Sequence, residues 1–174
     1  MVAAAPTRES TVWAALAEIA DPEIPAISVV ELGVIGEIAF EPRIEGGERL
    51  MVELLPTFVG CPAIDVMQLQ IGERLRGLDL ADEVKVNVSF RVPWTSERIS
   101  PEGREKLRGS GFSPPVLIGP TFDGEELQLM LGQATCPYCG SDNTTLDNPF
   151  GPTLCRAIFH CDACNQPFEQ FKTI

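Results

Sequence analysis

A single histidine, His160, stands in the 174 residues of this chain. A Ser-His-Asp or Cys-His catalytic pair must use that residue or do without, and its place in a cysteine-rich C-terminal segment makes it a poor base. Basic charge is also scarce. Thirteen Lys and Arg face 25 Asp and Glu, a formal net charge of −12. The deficit holds along the whole chain, 11 against 18 over residues 1–112 and 2 against 7 over 113–174. A groove that neutralises nucleic-acid phosphates is therefore not expected. Long apolar runs are missing too: no stretch approaches 18 uninterrupted apolar residues, and the start carries no charged-then-apolar leader. We expect a soluble, cytoplasmic protein with no membrane partner. In that compartment thiols stay reduced, so paired cysteines read as metal ligands rather than disulfides.

Six cysteines are present, and four fall into two pairs, Cys136-Pro-Tyr-Cys139 and Cys161-Asp-Ala-Cys164, with 21 residues between them. Each C-x-x-C knuckle offers two thiolates from one side, which suits a tetrahedral zinc ion, although the loop is just longer than the usual spacing of about 15 to 20 residues. Cys136-Pro-Tyr-Cys139 alone also matches a glutaredoxin dithiol, but that chemistry needs the first cysteine at a helix start and explains one pair only. A rubredoxin-like iron site would use the same four ligands. The segment 133–174 has 42 residues, near the size at which a core needs a metal or disulfides. Zinc binding there is worth roughly 10–16 kcal/mol, which becomes folding energy. With all four positions filled by sulfur, the ion is structural. Cys155 is six residues from Cys161 on an expected strand, roughly 20 Å away, so it is expected to pack rather than ligate. His160 should point to the opposite side.

The longer N-terminal part reads as α-β-β-α-β-α over residues 7–112. Val12, Trp13, Leu16 and Ile19 recur at helical spacing behind Thr7 or Ser10 as N-cap. Val34–Phe40 and Leu50–Leu55 form two strands joined at Gly46-Gly47. A helix after Cys61-Pro62 carries Ile64, Met67, Ile71, Leu75 and Leu78 as an apolar stripe. Val84, Val86, Val88 and Phe90 then alternate with polar residues as a strand, and Ser100-Pro-Glu opens a last helix that stops near Gly109-Ser-Gly111. Residues 113–132 form a linker, with a further strand expected over Leu127–Leu131. The fold class is α+β, a small mixed α/β domain followed by a four-cysteine zinc ribbon at 133–174.

Cys61 lies between a strand and a helix in Thr57-Phe-Val-Gly60-Cys61-Pro62. The free N–H groups and positive end of that helix would favour its thiolate or a metal. A small residue tucked under the sheet is an equal reading of the same position. Asp21, Glu23 and Glu31 could gather near that helix end, but helix-end and turn chemistry accounts for them without any function.

Asp21-Pro-Glu-Ile-Pro25, Glu31-Leu-Gly-Val34, Thr57-x-x-Gly60-Cys61-Pro62 and the strand Val84–Phe90 resemble the small domain of SufT-type iron–sulfur-assembly proteins. Pro93-Trp-Thr95, Ile99-Ser-Pro-Glu-Gly103 with Lys106-Leu107, Phe150-Gly-x-Thr-x-Cys155 and Pro167-Phe-x-x-Phe171-Lys narrow the likeness. Together they are similar to the D-subunit family of the bacterial phenylacetyl-CoA epoxidase system, the PaaD type. The resemblance implies an accessory component of aerobic phenylacetate catabolism, not catalytic alone, that matures or maintains iron or iron–sulfur centres. It implies partners in a di-iron oxygenase and a flavin and [2Fe–2S] reductase, with no nucleic acid. It places the family's functional cysteine on Cys61, for transient iron, an iron–sulfur cluster or a protein contact alone, three readings the family leaves open, with Asp21, Glu23, Glu31, Thr57 and Gly60 supporting. Cys136, Cys139, Cys161 and Cys164 hold structural zinc. A docking scaffold between oxygenase and reductase, and an independent thiol oxidoreductase, are the alternatives.

Overall fold

In a computed structural model the described residues are 6–116 and 133–173, so the strand expected over Leu127–Leu131 lies outside them. The chain divides into two compact units, Met1–Pro56 with Pro62–Pro93, and Thr57–Cys61 with Trp94–Ile174. The turn that carries Cys61 thus belongs to the unit of the cysteine pairs, and so does the helix after Ser100.

The first unit has the expected α-β-β-α-β order. Helix α1 (Arg8–Ala17) starts at Thr7, whose hydroxyl accepts from the Ser10 N–H at 3.1 Å, as an N-cap should. Strands β1 (Ile35–Pro42) and β2 (Glu48–Leu54) pair antiparallel. Gly46 and Gly47 make the turn at φ of 91° and 82°, a region costly for residues with a Cβ. Helix α2 (Ala63–Arg76) then crosses over to β3 (Glu83–Val88), which runs parallel to β2. The sheet order β1-β2-β3 puts β2 in the middle. Its Leu50, Val52 and Leu54 are buried together with Met67, Ile71 and Leu75 of α2 and Val12 and Leu16 of α1. Ile64 and Leu78, at the ends of the expected stripe, are only half-buried. Strand β3 stops at Val88 and leaves Phe90 57% exposed. Its partner β2 has ended at Leu54, and the Leu55 N–H turns away to the Val34 carbonyl at 2.7 Å.

The register between β1 and β2 slips between Ile35 and Ile38, a bulge that frees a backbone N–H. The Glu53 carboxylate covers this place. It accepts from the Glu37 N–H at 3.4 Å and from Arg91 at 3.1 Å, and a Cβ on Gly36 would lie 2.5 Å from its Oε2. The Ser89 hydroxyl, then Arg91 and the Glu37 N–H, hold the Glu53 carboxyl below its usual range against the opposing effect of burial. A carboxyl lowered by folding stabilises the fold above its unfolded pKa, and that contribution is lost as pH falls through the folded value. Glu53→Gln should therefore be less stable than wild type at neutral pH, with the difference shrinking in acid. Urea denaturation of both proteins across that range checks this; a constant difference would refute it.

In the second unit a single 3-10 turn (Ser96–Arg98) precedes α3 (Pro101–Gly109), where Ser100 is the N-cap and accepts from the Gly103 N–H at 3.0 Å. Proline at the first helical position and Lys106 and Arg108 in the last turn fit the helix ends. A four-stranded sheet follows in the order β4-β7-β6-β5, from β4 (Phe112–Ser113), β5 (Thr144–Asn148), β6 (Arg156–Cys161) and β7 (Pro167–Phe171). The two-residue β4 runs parallel to β7, and the other pairs are antiparallel. Phe159 and Phe168 stack at 5.7 Å, and Trp94 meets Phe171 at 5.8 Å between ring centres. All four are buried, with Leu107 of α3.

Candidate functional site

The two C-x-x-C pairs fold as near copies of one knuckle. In the first, the Gly140 N–H donates to the Cys136 carbonyl at 2.9 Å and the Cys136 N–H to the Ser141 carbonyl at 2.9 Å. In the second, the Asn165 N–H donates to the Cys161 carbonyl at 2.8 Å and the Cys161 N–H to the Gln166 carbonyl at 3.0 Å. Gly140 and Asn165, at matching places after each pair, have φ of 74° and 58°. Glycine reaches that region freely and asparagine more readily than most. No helix follows Cys136; residues 137–139 form a turn, so the setting of a glutaredoxin dithiol is not built.

The four sulfurs converge. All lie within 4.8 Å of one another, with Cys136 to Cys164 at 3.7 Å and Cys139 to Cys161 at 3.6 Å. A tetrahedron with zinc–sulfur bonds of about 2.3 Å has sulfur–sulfur edges of about 3.8 Å, so this donor set fits zinc in size and chemistry. Cys136, Cys139, Cys161 and Cys164 are placed to bind one metal ion, with no position left open for a substrate. Cys136 and Cys161 are at the same time core residues, beside Ala134, Ala157, Phe159 and Phe168.

Burial, then the thiols of Cys139, Cys161 and Cys136, pushes the Cys164 thiol up. At Cys161 burial acts upward as well, but the N–H groups of Cys164 and Ala163 and the neighbouring thiols outweigh it and bring that thiol down. The cluster thus retains protons that a metal must displace. Affinity for zinc should fall as pH falls, and loading at neutral pH should release protons.

Cys155 lies outside this cluster, buried just before β6, with its sulfur 3.1 Å from the Thr153 hydroxyl. Ala157, Phe159 and Cys161 share its buried side, while His160 alternates to the other and sits 3.6 Å from Asp162.

Cys61 closes a tight turn. Its N–H donates to the Phe58 carbonyl at 3.3 Å, and Gly60 at φ 80° takes the third position, the geometry of a type II turn. Val59 at the tip is 79% exposed, Thr57 and Cys61 are half-buried, and Pro62 follows as the N-cap of α2. No disulfide joins any of the six cysteines. Asp21, Glu23 and Glu31 lie in the first unit. Asp21 is buried and accepts from the N–H groups of Glu23 at 2.8 Å and Ile24 at 2.7 Å, an Asx turn. Glu31 accepts from the Ser28 N–H at 2.9 Å, and the Ser28 hydroxyl accepts from the Glu31 N–H at 3.2 Å. That reciprocal pair has the hydrogen-bond pattern of a capping box, here on the turn over residues 29–33 rather than on a helix. The spacing Ser28-x-x-Glu31 announces it.

A mixed α/β domain followed by a four-thiolate ribbon defines the class of the chain, and comparison with known proteins agrees in both parts. Residues 9–88 match the model of an iron–sulfur cluster assembly protein family, and residues 124–172 that of a PaaD zinc beta ribbon domain. Over 171 residues, 98% of this chain and 96% of the relative, the sequence is 34% identical to an Escherichia coli (strain K12) protein provisionally described as the D-subunit of 1,2-phenylacetyl-CoA epoxidase. The chain belongs to that D-subunit family. Among solved structures it is similar to a domain of unknown function, DUF59, from Bacillus anthracis, at 24% identity over 57% of this chain and 90% of the other, TM-score 0.49. A conserved hypothetical protein from Thermotoga maritima shares 31% identity over 62% and 98%, TM-score 0.46. No helix among the described residues is long and apolar enough to cross a membrane.

Replacing Cys139 with serine should reduce bound metal from one ion per chain to substoichiometric levels and disorder the strands β5–β7. Elemental analysis with amide NMR of both proteins checks this. Well-folded wild-type protein with neither zinc nor iron would refute it.

Proposed function

We propose that this chain is a cytoplasmic accessory protein of a phenylacetyl-CoA epoxidase system that matures or maintains the iron or iron–sulfur centres of its partner subunits. The observation that carries the reading is the join of two modules along one chain: an iron–sulfur-assembly match over residues 9–88, and a ribbon whose four cysteines are placed to bind one ion. A closed sulfur site anchors structure and offers no place for a substrate. Of the remaining cysteines, Cys155 is buried inside the ribbon and Cys61 is half-exposed at a turn before a helix. Cys61 is therefore the thiol we assign to handling iron or a cluster, as cargo rather than resident cofactor. Gly60 shapes its turn, and Thr57, Asp21, Glu23 and Glu31 are the supporting residues that the family pattern assigns. The partners are the oxygenase and reductase components of the epoxidase.

Deleting the gene should lower iron, sulfide and turnover in the epoxidase purified from those cells. Cys61→Ser should behave like the deletion while keeping wild-type zinc content and thermal unfolding midpoint. Full epoxidase activity with Cys61→Ser would remove that thiol from the function. Normal metal content with lost activity on deletion would favour a docking role, and normal values for both would defeat the reading.

A further inference from the structure

The four sulfurs that converge in the ribbon are unequally sheltered. Cys136 and Cys161 are buried in the core beside Ala134, Ala157, Phe159 and Phe168. Cys164 is half-buried and Cys139 is exposed. The neighbours of Cys139 leave it open, since Tyr138 is 59% exposed and Gly140 is exposed as well. Both close sulfur–sulfur contacts cross from one knuckle to the other, and each joins an outer sulfur to a core one: Cys139 to Cys161 at 3.6 Å, and Cys164 to Cys136 at 3.7 Å. A disulfide bond is about 2.05 Å long. Each pair is thus about 1.6 Å from bonding, a gap on the scale of side-chain rotation rather than of strand movement.

We propose that the ribbon is a redox switch: a hydroperoxide enters at Cys139, the ion is released, and two disulfides across the knuckles take its place and keep the ribbon folded. The exposed Cys139 sulfur attacks the terminal oxygen of the hydroperoxide. The O–O bond breaks, leaving a sulfenic acid on Cys139 and an alkoxide or hydroxide that takes a proton from solvent. The Cys161 sulfur then attacks the Cys139 sulfur, the S–O bond breaks, and the departing hydroxide takes a second proton to become water. Two sulfurs have given two electrons to one hydroperoxide. Cys164 and Cys136 repeat the sequence with a second, and no thiolate of the four remains to hold a cation. The core sulfurs keep their places beside Phe159 and Phe168, because each reacts with the outer sulfur already next to it. The new bonds close loops across 22 and 28 positions of the chain, which restrains the unfolded state in place of the metal. Cys155, buried against the Thr153 hydroxyl, takes no part. The switch does not depend on the role assigned to Cys61.

The test titrates the zinc-loaded full chain with hydrogen peroxide, beside a Cys61→Ser variant that removes the half-exposed thiol outside the ribbon. Released zinc is read with a coloured chelator, the fold by amide NMR of β5–β7, and the links by peptide mass spectrometry. Trypsin cleavage after Arg156 separates the two knuckles, so a bond across them joins two peptides whereas a bond within one C-x-x-C does not. Both proteins should release their ion at about two equivalents of peroxide. The Cys139–Cys161 link should form before Cys136–Cys164, with the strand amides still dispersed, and dithiothreitol with added zinc should restore the starting state. Retention of the ion while peroxide is consumed would overturn the proposal. So would disulfides confined to each C-x-x-C, or release of the ion with collapse of the β5–β7 amide pattern.

Discussion

The convergence of four thiolates on one point is the constraint from which the second unit is built. Cys136 and Cys161 are not appended to a finished core; they are part of it, packed with Ala157, Phe159 and Phe168. Four sulfurs held this close repel one another once deprotonated unless a cation bridges them, so a bound metal would complete the core. From there the order spreads strand by strand. Cys161 ends β6, β6 pairs with β7, and Phe171 of β7 packs on Trp94. On its other edge β7 pairs with β4, directly after α3. The unit that contains all of these also contains the Cys61 turn.

Legibility in the sequence followed the range of the physics. The metal ligands could be read because a C-x-x-C knuckle is local, and its requirement for a residue able to take positive φ is met by Gly140 and Asn165 within one residue of the pair. The N-caps Thr7 and Ser100, the Gly46-Gly47 turn and the alternation of β3 were legible for the same reason. What could not be read depended on distant partners. Phe112-Ser113 carries no periodicity of its own and becomes a strand only because β7 lies beside it. The order of the 149–155 loop was hidden likewise, since it depends on Arg156, Glu169 and Lys172 arriving from two strands. The end of β3 at Val88 was decided by where β2 stops, which alternation at Val84–Phe90 does not record. The reciprocal pair of Ser28 and Glu31 is a different case, a local signal carried by its own spacing.

That cluster shows how carboxylates should be weighed. Asp21 and Glu31 both accept backbone hydrogen bonds within their own turns. Removing either would free buried or half-buried N–H groups, at a cost of about 1–3 kcal/mol each. A loss of function after such a change would therefore not distinguish a ligand from a turn-maker. Cys61 differs, because serine preserves its size and backbone hydrogen bond while removing the thiol.

The two kinds of thiol are separated by coordination, and this makes a division of labour physically reasonable. An ion held by four sulfurs, two of which also line the core with Phe159 and Phe168, would be bound as part of the structure. The cargo role we propose for Cys61 needs the reverse: a donor half-open to solvent, on a turn whose conformation is fixed in advance. Gly60 at φ 80° meets the second requirement, and the partial exposure of Cys61 meets the first. Because the Cys61 turn and the ribbon belong to one compact unit, whatever holds the ribbon's ion also supports the surface on which that thiol is presented. On the function we propose, stable metal in the ribbon would be a precondition for transient chemistry at Cys61, without any atom of the first ion taking part in it.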